Sequence, residues 1–118
     1  MKNNTSLAIA RDYHEAWTTK NFGRAIALLA PGLDVEVPIN DYPDKESFAE
    51  AVVSFGGLVT RVELLSEMAA GDQAMQLYDI DVDALGTLRV VEHFTVAHGR
   101  IARLRQIHDT AALREMAR

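Results

Sequence analysis

TRVELLSEMAAGDQAMQLYDIDVDALGTLRVVEHFTVAHGRIARLRQIHD, residues 60–109, divides into four extended segments: Thr60 to Ala70, Gln73 to Asp83, Thr87 to Ala97 and Arg100 to Asp109. Gly71-Asp72, Ala84-Leu85-Gly86 and His98-Gly99 separate them, and short breaks of this kind predict hairpins that join the four into an antiparallel meander. Upstream the period changes. Leu7, Ala10, Tyr13 and Trp17 recur at helical spacing as far as about Lys20, with Asn3, Asn4, Thr5 and Ser6 as candidate N-caps. Asn21 can cap a short second helix, Arg24 to Ala30, which Pro31-Gly32 stops before the alternating strand Leu33 to Val37; Pro38 ends that strand. Asp44 is the expected cap of a third helix that carries Phe48, Val52 and Phe55 on one face and stops at Gly56-Gly57. Residues 111–118 read as a short helical tail. The order predicts one α+β domain over residues 1–118, with three N-terminal helices on one side of a curved, mainly antiparallel sheet.

Composition narrows the function. At 118 residues, with 48 % hydrophobic and 25 % charged residues, the chain has enough apolar surface for a core and is not of a disordered type. The absence of cysteine removes disulfides, thiolate metal sites and thiol nucleophiles, and fits a reducing compartment. The first seventeen residues hold no unbroken apolar stretch, so the expected address is cytoplasmic, with no membrane partner. A formal charge of −5 opposes a phosphate backbone, and nucleic acid is not an expected partner. His14, His93, His98 and His108 show no zinc-type spacing, and no glycine-rich phosphate loop or dinucleotide fingerprint occurs; neither metal nor cofactor is expected.

Three local marks carry a family resemblance: Tyr13-His14-Glu15-Ala16-Trp17 followed by Asn21-Phe22, then Val35-Glu36-Val37-Pro38, and then Phe94 through Ile101. In this order and at this length they resemble the SnoaL-like, or nuclear transport factor two-like, superfamily, which includes polyketide cyclases, ketosteroid isomerases and limonene-epoxide hydrolases. The resemblance covers nearly the whole chain and implies a cone-shaped, cystatin-like roll around a cavity. Its chemistry is not inherited with the fold. The isomerases have an aspartate directly before the proline that ends the first strand, where this chain has Val37, and their oxyanion-donating acid would fall near Val90 or Val91. The arginine and aspartate that the epoxide hydrolases need two apart on one strand are missing from Leu88 to Phe94. The resemblance also places Tyr13 where a phenol meets a developing oxyanion, although a shift of one residue puts His14 there instead.

Alternation selects the candidate chemistry. Leu88, Val90, Glu92, Phe94 and Val96 form the more apolar set of their segment and should face the helices, which leaves Glu92 as one acid in an apolar row. Leu104, Gln106 and His108 share the inward face of the last segment. A tight turn at His98-Gly99 sets Glu92 and His108 about one diagonal step apart, roughly 5–8 Å between side-chain origins. A carboxylate beside an imidazole orients it, and an apolar wall raises the carboxylate's pKa, so this pair is the first candidate for acid and base work. The plainer reading is that the two satisfy each other in a core. Asp79 is a second acid: it faces the cavity opposite Val90 if Asp83 pairs with Gly86, although Ala74, Gln76, Tyr78, Ile80 and Val82 are the greasier set of that segment. Trp17, Phe48, Phe55 and Phe94 read first as packing and then as pocket lining, Asn40 and Tyr42 as closure of the mouth, and Gln106 as a donor to a substrate oxygen.

These residues point to a small apolar carbonyl or polyketide-like molecule in the cone and to isomerisation, cyclisation or dehydration by general acid and base; a non-catalytic binding or interaction domain is the alternative. On the register used for Asp79, the convex sheet face carries Gln76, Tyr78, Ile80 and Val82 beside Val91, His93, Thr95 and Ile107. A patch that mixed predicts a homodimer through this face.

Overall fold

A computed structural model describes residues 5–116. Helix α1, Ser6–Thr18, starts at Thr5, whose side chain accepts from the Ala8 amide. The further expected caps Asn3 and Asn4, and the last two residues of the expected tail, lie outside the described residues. Helix α2 spans Phe22–Ala27 and strand β1 spans Leu29–Glu36, so Pro31 and Gly32 lie within the strand instead of ahead of it. A register shift between Leu29 and Asp34 absorbs the proline, which cannot donate to a ladder. Helix α3, Lys45–Gly56, begins on the expected Asp44 cap: the Ser47 amide donates to the Asp44 carboxylate at 2.8 Å and the Ser47 hydroxyl closes a reciprocal box.

The meander forms as four strands: β2 Val59–Ala70, β3 Gln73–Val82, β4 Gly86–Ala97 and β5 Arg100–His108. Helix α4, Ala111–Met116, follows. The sheet runs β1-β5-β4-β3-β2, antiparallel except for β1, which lies parallel to β5 at one edge. His98 and Gly99 both take positive φ, 54° and 77°, the requirement of a two-residue turn that follows strand twist. α1 lies across the sheet and buries Ile9, Ala10, Tyr13, Ala16 and Trp17 against it. Along β4 every second residue from Leu88 to Val96 is buried beneath the helices, as its composition predicts. No helix among the described residues is long and apolar enough to cross a membrane.

One register differs from expectation. Val82, not Asp83, pairs with Gly86, so the connection takes three residues, with Ala84 at φ 74°, and β3 slips by one position against β4. Asp79 therefore sits opposite Arg89 on the outer face, bound to it by two hydrogen bonds of 2.8 and 2.9 Å. It is removed from the candidate acids. The same slip turns Gln76, Tyr78, Ile80 and Val82 inward, where all four are buried, so they do not belong to the convex patch proposed for dimerisation. That face carries Met75, Leu77, Asp79 and Asp81 from β3, beside Val91 and His93 from β4 and Ile107 from β5.

Candidate functional site

Between α1, α3 and the concave face of the sheet lies a cavity of about 160 Å³. Tyr13 and Trp17 enter it from α1, Phe48, Val52 and Phe55 from α3, Tyr78 and Ile80 from β3, Leu88, Val90 and Glu92 from β4, and Gln106 and His108 from β5. Its mouth is the segment after β1, where Val37, Pro38, Asn40 and Tyr42 line the opening. There the Asn40 amide donates to the Pro38 carbonyl at 2.8 Å around Ile39, whose φ of 71° is strained for a β-branched residue. That tight turn redirects the chain across the opening, and Tyr42 then meets Phe48 edge-on, with ring centroids 5.6 Å apart.

Glu92 is the floor. It is 1 % exposed, and its two oxygens accept one hydrogen bond each, from the Tyr78 hydroxyl at 2.9 Å and the Gln106 amide at 2.8 Å. Burial pushes its carboxyl up to about 7, against the opposing pull of the Gln106 and Tyr78 hydrogen bonds. Burial, and then the nearby Glu92 charge, raise both the Tyr13 and the Tyr78 phenols well above their ordinary range, so both stay protonated and available as donors. Tyr78 uses its hydrogen on Glu92. The Tyr13 hydroxyl has no protein partner among the described residues and borders the cavity.

Glu92 and His108 stand in the expected diagonal relation, since Glu92 pairs with Gln106 and His108 with Val90. Both line the cavity, but no hydrogen bond joins them: the cross-strand neighbour Gln106 takes the carboxylate oxygen instead. The His108 Nδ1 lies 3.1 Å from the Asp109 carbonyl, and since a carbonyl only accepts, the hydrogen of that contact is on Nδ1.

Of the expected lining, Trp17, Asn40, Tyr42, Phe48, Phe55 and Gln106 meet at this cavity with Tyr13, Glu92 and His108. Phe94 does not line it. Fully buried, it packs edge-on against Tyr13 at 5.9 Å and belongs to the core. His14, the alternative to Tyr13, turns instead toward Trp17 and Tyr78 at ring distances of 5.7 and 5.0 Å and is not among the lining residues. Tyr78 is the member that sequence reasoning missed. Its membership of the greasier set of β3 was the available signal.

The family model of the SnoaL-like domain matches residues 10–104, which include Tyr13, Tyr78 and Glu92 and stop short of Gln106 and His108. The chain belongs to the SnoaL-like family. Among solved structures, a Kribbella flavida protein is similar at 26 % identity with a TM-score of 0.89, over 98 % of this chain and 94 % of that one. An M. tuberculosis LEH-like epoxide hydrolase is similar at 18 % identity and a TM-score of 0.74, over 93 % of this SnoaL-like chain and 86 % of the hydrolase. A de novo designed protein with a curved β-sheet reaches the same TM-score, 0.74, at 17 % identity, over 92 % and 93 % of the two chains. An enzyme and a designed scaffold at equal distance show that this fold alone decides no chemistry. No curated protein matches the sequence.

Proposed function

We propose that this SnoaL-like protein is a general acid and base enzyme, an isomerase, cyclase or dehydratase, acting on a small apolar carbonyl compound without a cofactor. One observation carries the reading: a buried carboxyl with a pKa of about 7 forms the floor of a largely apolar cavity. A base whose pKa lies near the working pH is both ionised and strong enough to take a proton. Glu92 removes a hydrogen from the carbon next to the substrate carbonyl, and the electron pair moves onto the carbonyl oxygen as an enolate. The Tyr13 O–H donates to that oxygen; where a carbon–carbon double bond adjoins the enolate, protonated Glu92 returns the proton at the far end of the conjugated system while the carbonyl re-forms, which completes an isomerisation. Tyr78 and Gln106 hold the carboxylate in place, and His108, nearer solvent, exchanges protons at the mouth.

Deuterium incorporation beside the carbonyl of small ketones, followed by NMR in heavy water, tests this without knowledge of the natural substrate. Acceleration by the wild type is expected, and its complete absence across the panel would sink the reading. Tyr13→Phe keeps the ring packing and removes one donor to the enolate oxygen; the exchange rate should fall about a hundredfold. A rate within twofold of wild type would take Tyr13 out of the reaction.

Self-association is a second proposal, now on a corrected surface. Leu77, Val91 and Ile107 pair in one row across three strands of the outer face, and Ile107 is 68 % exposed. Charges of both signs flank the row, Asp79 with Arg89 and Glu36 with Arg105, so a two-fold copy can set unlike charges opposite one another. Sedimentation at micromolar concentration should show a dimer that Ile107→Asp converts to monomer. A monomeric wild type removes this proposal and leaves the cavity chemistry untouched.

A further inference from the structure

The cavity restricts its ligand by size and by charge. A dry cavity of about 150 Å³ lined by aliphatic and aromatic side chains accepts one benzene ring, and this one measures about 160 Å³. It falls below the roughly 300 Å³ at which pockets for drug-sized ligands begin. Ile80 and Leu88 on the sheet and Phe48 on α3, all buried, oppose any widening, since a packed wall yields only by displacing its neighbours.

Charge acts in the same direction. Among the described residues, Glu92 and His108 are the ionisable lining residues besides tyrosines, and neither lysine nor arginine lines the cavity. Cations on adjoining segments are committed elsewhere: Lys20 Nζ donates to the backbone carbonyls of Gly56 and Val59, and Lys45 Nζ to that of Leu29 at 2.8 Å. A carboxylate or phosphate ligand would approach Glu92 with no lysine or arginine in the lining to pair with and would lose its hydration on entry. An ammonium would also have to shed its water, and both Glu92 oxygens already hold hydrogen bonds from Gln106 and Tyr78. A neutral ring loses least. One hydrogen-bond acceptor on it can meet the Tyr13 hydroxyl while an adjacent C–H approaches Glu92.

From this we infer that the ligand is an uncharged molecule of one six-membered ring, or of similar bulk, with a carbonyl as its polar group, and not a fused-ring or ionic compound. The inference rests on this cavity being the functional site. Ligand-observed NMR with four matched probes tests it: cyclohex-2-enone, a fused bicyclic enone, cyclohexanecarboxylate and cyclohexylammonium. The neutral single ring should bind at least tenfold more tightly than each of the others. A larger apolar body gains affinity wherever it fits, so an equal or tighter bicyclic enone overturns the size limit. Equal or tighter binding of either ion overturns the charge limit. Val52→Ala, which removes bulk from the α3 wall and favours the helix, should narrow the gap between the two enones, and an unchanged gap overturns the assignment of selectivity to this wall. Deuterium exchange on the same probes separates this inference from the proposed reaction. If cyclohex-2-enone binds selectively but does not exchange, the ligand class stands and Glu92 as base fails. If the bicyclic enone exchanges as fast as the single ring, Glu92 as base stands and the ligand class fails.

Discussion

Glu92→Gln should make the protein more stable at pH 8 and nearly inactive. An unfolded chain releases this proton near the ordinary value of 4.5, whereas the folded chain holds it up to about 7, so between those values the folded state binds the additional proton. The stability from this group is therefore full below 4.5 and falls as pH rises through 7, by on the order of 3 kcal/mol in all. The amide of the variant carries no charge into the core. Its oxygen can accept from Tyr78, and its nitrogen can donate to a Gln106 amide turned to accept, so no buried polar group need be left without a partner. Urea denaturation should place the variant about 2–3 kcal/mol above wild type at pH 8 and level with it at pH 4.5. Proton exchange should drop by two to four orders of magnitude, the usual contribution of a positioned base. In the wild type, exchange should increase as pH rises through about 7, over the range in which stability declines. A variant that is less stable at pH 8 would mean that Glu92 is a structural carboxylate, bound more tightly by its partners than burial penalises it.

How much of this was open to sequence reading depends on what each pattern encodes. The alternation of Leu88, Val90, Glu92, Phe94 and Val96 encodes a face, and the structure places all five on it. Face is not depth. Phe94 and Glu92 are neighbours on one side of β4, yet Tyr13 closes over Phe94 while Glu92 opens to the cavity, a difference set by where α1 crosses the sheet. Asp79 failed for another reason. Composition already favoured Tyr78 and Ile80 as the inward set, but a two-residue connection between β3 and β4 was assumed, and the third residue of the real one reverses every side chain on β3. The His98-Gly99 turn has two residues, but that register alone would set Glu92 opposite Arg105; the bulge at Ala102, between Ile101 and Arg103, shifts β5 by one position and turns Gln106 and His108 inward. The hydrogen bond from Gln106 to Glu92 was beyond reach in any case: alternation puts Gln106 and His108 on the same face, and only the register decides which of them lies opposite the carboxylate.

Phe94→Ala should cost about 3–5 kcal/mol, the range for removing a fully buried aromatic side chain. Phe94 is the largest fully enclosed side chain among the described residues, on β4 between Ala74 of β3 and Leu104 of β5, all three at most 1 % exposed. Its strand neighbours are held by pairing on both sides and cannot collapse into the space without breaking it, so both the transfer free energy and the void contribute to the loss. For a domain of this size that is a large share of a total near 5–15 kcal/mol. The effect should extend to the reaction through Tyr13, whose ring rests edge-on against Phe94, and aromatic pairs of this kind contribute about 0.5–1.5 kcal/mol beyond burial. Phe94→Leu is the informative companion, because it keeps most of the volume while removing the ring that Tyr13 leans on. It should lose less stability than the alanine variant, keep the ligand size limit, and slow deuterium exchange by releasing the Tyr13 hydroxyl from its position. Urea titration of both variants, with exchange rates at matched pH, measures all three effects. If Phe94 lined the cavity, the alanine variant would instead lose less than about 1 kcal/mol and admit the fused bicyclic enone, since its void would open to ligand; that result would return Phe94 to the site and move the floor one residue pair deeper than Glu92.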